Sequence, residues 1–166
     1  MEIGSYIARM KTFYAFFHKY VESDSNSPEE FQEFITFVNN NQFGNNSDEL
    51  RSLLHIIHKI SNHHKQTSVF KEKILQILLH YIDQIKQTFS NSDIFCIFKS
   101  NRFVLSFLFD NKTITADEQI AYSLIKKFGK TKSNFFYPEI KPFLTQNSGK
   151  IFYVLFNVMK LMIQIF

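Results

Sequence analysis

Apolar residues along this chain recur at steps of three and four, not two. Ile3, Tyr6, Ile7, Met10, Phe13, Tyr14 and Phe17 trace one face of a helix, because 3.6 residues per turn return a side chain to the same side. The polar run ESDSNS breaks the pattern. It resumes at Phe31, Phe34, Ile35 and Val38, behind the start signal Ser27-Pro28-Glu29-Glu30. Ser27 can cap this helix, and Pro28 suits the first helical position, where no N–H is needed. Glu30 can complete a capping box with Ser27. Asn39-Asn40-Asn41 and then Gly44 supply the stop.

A third helix is predicted over about 48–62, capped by Ser47 or Asn46. Asp48 and Glu49 favour its positive end. Its apolar face is Leu50, Leu53, Leu54, Ile57 and Ser61. A fourth, over about 69–87, carries Phe70, Ile74, Ile77, Leu78, Tyr81 and Ile85. Leu75, Leu79 and Ile82 widen that stripe enough to make it the central helix. Asn91 or Ser92 starts a shorter helix through Ile94, Phe95, Ile97 and Phe98. The run Phe103 to Phe109 has a length that suits a strand or a buried helix; its helical surroundings favour a helix. Thr115-Ala116-Asp117-Glu118 reads as a second capping box, followed by Ile120, Ala121, Leu124 and Phe128. Lys126 and Lys127 suit the end of that helix and Gly129 the position just past it.

From Lys130 the character changes. TKSNFFYPEIKPF sets aromatics beside Pro138 and Pro142, and proline restricts the residue before it to extended backbone. An extended segment packed by its aromatics is expected there. The pattern predicts an all-α protein, with six to eight helices in antiparallel hairpins packed as a bundle or a short ankyrin-like solenoid. The expected organisation is a helical domain over 1–146 and an apolar tail helix over 147–166. The domain comprises a leading pair at 1–45, core helices at 46–129 and the aromatic segment at 130–146.

Composition supports helices. The chain has 166 residues, of which 45% are hydrophobic, enough for a core without staples. Phe occurs 21 times, Gly only 4 and Pro 3, which disfavours a turn-rich sandwich. Cys96 stands alone in DIFCIFK and reads as a buried, inert thiol. The N-terminus lacks a signal-peptide pattern, which makes cytoplasmic or nuclear residence the default, and cytoplasmic is the expectation taken. Net charge is +4, but the lysines are scattered: Lys71 and Lys73, Lys126 and Lys127, Lys130 and Lys132. They read as a solvated surface, and nucleic-acid binding ranks low.

The concentration of histidine in LLHIIHKISNHHK raises the question of a metal. His55, His58, His63 and His64 fall within ten positions. At about 100° per residue, His55 points away from the apolar face and His58 lies on its flank. His63 and His64 project elsewhere, and Lys59 and Lys65 repel a cation. A metal site needs converging ligands, so SNHHK reads instead as a helix terminus, where His and Lys face the last carbonyls. The chain contains no phosphate-binding glycine loop, dinucleotide fingerprint or nucleophile elbow. No catalytic, cofactor-binding or metal-binding residue is assigned, and an enzyme is not expected.

Several segments together resemble a large protist family of ankyrin-repeat proteins, in its N-terminal helical region and an associated domain of unknown function. They are YIARMK, FITFVNNN, SNHHK with the Phe70 helix, FSNSDIFCIFKSN and FYPEIKPF, within about residues 5–147. The resemblance implies a helical leader to stacked repeats, which are binding scaffolds. FVLSFLFDNKTI also looks like a degenerate ankyrin hairpin, without the T-P-L-H signature. After about Gln146 the chain departs from the family, as expected of a form cut short before most of the repeats.

These readings together favour a non-enzymatic protein–protein interaction module with an unidentified protein partner. The alternative is membrane association through residues 150–166, although that stretch is shorter than the about 20 residues of a span and contains Lys160. The terminus reading of SNHHK predicts that neither zinc nor EDTA shifts the melting temperature. A zinc-dependent rise of several degrees in differential scanning fluorimetry would show that the histidines share a metal.

Overall fold

The structure is a computed structural model that describes residues 3–63, 66–132 and 136–146. Its described residues form eight helices and no strand, so the fold is all-α. The chain divides into two compact units, Met1–Phe89 and Ser90–Phe166. The division falls inside the stretch 46–129 that the sequence pattern presents as one run of core helices.

The first unit contains α1 (Ile3–Glu22), α2 (Pro28–Asn40), α3 (Ser47–His63) and α4 (Ser68–Thr88). Periodicity places the inward face of α3 and most of that of α4, but Leu79, expected to widen the α4 stripe, is 52% exposed, and Leu75 is only half-buried. Leu50, Leu53, Leu54 and Ile57 are fully enclosed, as are Ile74, Ile77, Leu78 and Ile85. Although α4 buries the broadest face, α1 is the helix that packs on each of the other three. Phe13, Phe17 and Tyr20 of α1 surround Phe34 of α2 with ring centroids 5.0–6.2 Å away. Such aromatic pairs add to the burial of their area.

The first turns of α1 correct the predicted stripe. Phe13 and Phe17 are buried, but Ile3 is 79% exposed, Ile7 47% and Tyr14 38%. Polar anchoring sets this rotation. The Tyr6 hydroxyl bonds to the hydroxyl of Ser52, and Arg9 reaches Glu49. With these side chains turned toward the start of α3, Ile3 and Ile7 face outward.

The second unit contains α5 (Asn91–Phe98), α6 (Arg102–Asp110), α7 (Glu118–Lys132) and α8 (Tyr137–Gln146). The ambiguous run after Asn101 is helical, with Val104, Leu105, Leu108 and Phe109 buried. Two caps differ from expectation by one or two residues. Ser90, not Asn91 or Ser92, forms a complete capping box with Asp93. Asp117, not Thr115, accepts the N–H of Ile120 at 2.8 Å. In each case the capping side chain belongs to the residue directly before the first helical one, the position from which it reaches the free N–H groups of the first turn.

Helix α7 also runs through Gly129 to Lys132, past its predicted end. A mid-helix glycine costs only about 1 kcal/mol, which tertiary packing can override. The segment read as extended is helix α8. Pro138 lies in its first turn, where a missing N–H is harmless, and only Pro142 removes an internal bond. Its expected aromatic packing is present: Phe136 is fully buried, 5.8 Å from both Phe109 and Phe128. Residues 147–166, expected to form a tail helix, lie outside the described residues. Among the described residues no helix is long and apolar enough to cross a membrane.

The turn between α2 and α3 is fixed from both sides. Asn41 caps α2 through its main-chain N–H to Phe37, Gln42 has φ of 52°, and Gly44 has φ of 85°. Gly44 donates its N–H to Glu49 at 2.9 Å and accepts from the Gln84 amide. The Tyr81 hydroxyl donates to the Phe43 carbonyl at 3.2 Å. A Cβ on Gly44 would lie 3.0 Å from Cε1 of Tyr81 and 3.1 Å from Cδ1 of Leu53. Left-handed backbone and close approach both require glycine here. Gly44→Ala is therefore expected to lower unfolding free energy by about 1–3 kcal/mol, read from the urea midpoint at constant m-value. An unchanged midpoint would show that the turn is free to readjust.

Candidate functional site

Four places bear on function: the histidine stretch, a buried cation, an apolar groove and a second-unit cavity. Helix α3 spans Ser47–His63, and the remainder of SNHHK lies outside the described residues. His55 is exposed. His58 is half-buried, with its Nε2 3.0 Å from the Asn62 amide nitrogen one turn on. His64 lies outside the described residues. Among the described residues no group of three or more His, Cys, Asp or Glu side chains could hold a metal ion.

The more consequential group is one that the sequence reading assigned to solvent. Lys73 is completely buried. Its Nζ donates to the carbonyls of Tyr20 and Ser23, each at 2.8 Å, and to Oε2 of Glu30 at 3.4 Å. It also lies 4.8 Å from the centroid of the Tyr20 ring. An ammonium has three donors and no acceptor, and these contacts supply three oxygens. The signal was present in the spacing: Lys73 follows Phe70 by three and precedes Ile77 by four, squarely on the apolar stripe. Its charge obscured that position. Being enclosed, Lys73 cannot contribute to a basic surface with Lys71, Lys126 and Lys127.

Glu30 likewise differs from expectation. Half of the predicted capping box forms, since Ser27 Oγ accepts the N–H of Glu30 at 3.1 Å. The Glu30 carboxylate accepts from the Ser23 and Ser25 hydroxyls and from Lys73. A buried cation two helices away is a stronger partner for a carboxylate than a neighbouring main-chain N–H. The Ser25 hydroxyl is the main influence holding the Glu30 carboxyl below its ordinary value of 4.5. Burial opposes it, and Ser23 and Lys73 reinforce it. Burial, with the charges of Glu30 and Glu72, pushes the Tyr20 phenol up to about 12.

Glu49 is similarly enclosed, although the sequence pattern assigned it only to the helix dipole. Arg9 pairs with it at 3.0 Å and lies 4.7 Å from the Phe43 ring centroid. Burial, and then the Glu49 charge, push the pKa of the Tyr81 phenol above its ordinary value, which keeps it protonated. These charged groups serve packing and satisfy one another.

An open groove of about 240 Å³ runs between α1 and α2. Phe16, Tyr20 and Phe34 line it, with Lys19 and Glu33 among its charged residues. In the second unit, a cavity of about 190 Å³ lies between α5 and α7. Cys96 lines it and is exposed, correcting the buried thiol expected from DIFCIFK. Ile94, Phe95, Ile97 and Phe98 already occupy the inward positions of α5, leaving Cys96 on the outer side.

Comparison with protein-family models, curated proteins and solved structures finds no match.

The Lys73 arrangement makes paired predictions. Lys73→Met should lower stability by about 1–3 kcal/mol for each buried carbonyl left without a donor, seen as a lower urea midpoint. A depressed carboxyl pKa gives stability that is present above the unfolded value and lost as pH falls through the folded one. Acidification below 4.5 should therefore destabilise the native chain more than Glu30→Gln. Parallel melting-temperature profiles for the two proteins would refute the Glu30 contribution.

Proposed function

We propose that this chain is a non-enzymatic protein–protein interaction module whose contact surface is the outer stripe of α1. The observation that carries this reading is the exposure of Ile3, Ile7 and Tyr14, with Met10 half-exposed between them. Their spacing of four, three and four residues puts them on one side of the helix. Helix-in-groove recognition uses anchors at this spacing. The rest of α1 is held in place by Phe13, Phe17 and Tyr20, so the stripe is presented on a rigid element. Rigid presentation lowers the ordering cost of binding.

The resemblance to the helical leader of protist ankyrin-repeat proteins supports the same role, because ankyrin stacks are binding scaffolds. The charged groups point the same way. Glu30, Glu49 and Lys73 are engaged in ion pairs that hold the helices together, which fits a scaffold role for them.

Ile3→Glu/Ile7→Glu/Tyr14→Glu should abolish recovery of a partner by cross-linking from an extract that yields one with the native chain. Its melting temperature should stay close to native, since exposed substitutions usually change stability by no more than about 0.5 kcal/mol. Leu79→Glu, at an exposed position on α4, controls for added charge and should retain the partner. Recovery of the same protein with the triple variant, or no reproducible partner with the native chain, would overturn the reading.

A further inference from the structure

The α5–α7 cavity has a composition unlike a leftover packing gap. Phe95, Ile120, Leu124 and Phe128 give it an apolar lining. Ile120, Leu124 and Phe128 are successive turns of one α7 row. Beside them, Gln119, Ser123 and Lys127 form a second row with the same four-residue repeat. From α5, Ser92, Cys96 and Lys99 follow at steps of four and three. Polar rows on two helices thus border a shared apolar lining.

The charge is one-sided. Among the described residues, Lys99 and Lys127 are the charged side chains lining the cavity, and no carboxylate joins them. Both are exposed, and neither forms an ion pair with a described residue. Lys73 shows the contrasting case in the first unit, where an ammonium is enclosed by carbonyls and a carboxylate. The lysines here retain donors for an incoming anion. Apolar walls with a few convergent polar groups are the usual makeup of a small-molecule site. At about 190 Å³ the space is below the roughly 300 Å³ of drug-sized pockets. It suits a short acid.

We propose that this cavity binds a small amphipathic carboxylic acid, with its apolar body on Ile120, Leu124 and Phe128 and its carboxylate between Lys99 and Lys127. The apolar body supplies affinity through burial, and the two ammonium groups select the charge. The site is in the second unit and does not depend on the α1 stripe. The two readings therefore fail independently.

The chain has a single cysteine, Cys96, which lines the cavity and is exposed. Its alkylation by neutral iodoacetamide reads occupancy directly. Phenylacetate should slow alkylation of the full chain saturably, by about tenfold at ten times its dissociation constant, since only the free form reacts. Benzylamine has a similar body and the opposite charge; acetate has the charge without the body. Neither should protect at the same concentration. Lys99→Glu/Lys127→Glu should lose the protection, whereas Lys99→Arg/Lys127→Arg should keep it, with helical circular dichroism unchanged in both. No protection by phenylacetate at millimolar concentration, equal protection by benzylamine, or protection surviving in the Glu variant would each overturn the proposal.

Discussion

The first unit depends on one buried ammonium. An unpaired charge in a protein interior is costly enough that the group must be bonded or the fold must change. Lys73 meets that demand by donating to the last turn of α1, to the loop beyond it and to the carboxylate near the start of α2. Those carbonyls would otherwise lack partners, because the final turn of a helix has no following N–H groups to bond. One side chain of α4 therefore closes α1, positions the chain reversal and locates α2. The ring stack of Tyr20 on Phe34, with 5.0 Å between centroids, forms at the same junction and encloses it.

The second unit is organised differently. Its tightest described cluster is aromatic: Phe136 lies between Phe109 and Phe128 and joins the start of α8 to α6 and α7. Arg102 approaches Phe128, with its guanidinium carbon 5.7 Å from the ring centroid. Polar capping by Ser90, Asn101 and Asp117 sets where its helices begin. Fixed starts and a shared aromatic cluster leave α5 and α7 with outward rows that packing does not use. Lys127 stands on the α7 row and Lys99 directly follows the last residue of α5, and both are exposed.

The helices of this fold were largely legible because burial repeats with the helical turn. Leu50, Leu53, Leu54 and Ile57 could be placed inward by counting alone. Where counting met a competing local rule, the outcome depended on tertiary context. Pro138 and Pro142 suggested extended backbone, yet Pro138 falls in a first turn and Phe136 anchors the segment. Gly129 suggested a stop, yet α7 continues. The charged sites were less legible because residue type was read ahead of position. Lys73 and Lys71 look alike as letters, but their places on the α4 stripe differ by two residues, about 200° of rotation. Ile3 and Ile7 posed the reverse problem, since periodicity identifies an apolar face without saying how far along it the partner helices extend.

The connection between α1 and α2 is polar and at the surface in part, the sort of segment in which homologous proteins usually tolerate insertions. This one is under a stricter constraint. The Ser23 carbonyl is tied to an enclosed cation, the Ser25 hydroxyl to Glu30, and the Ser27 hydroxyl to the first turn of α2. Alternate positions of a five-residue stretch are thus fixed to Lys73 and to two groups of Glu30, its carboxylate and its main-chain N–H. An added residue would put at least one of them out of register. The loop behaves as a ruler, and its length is as much a part of the fold as the helices it joins.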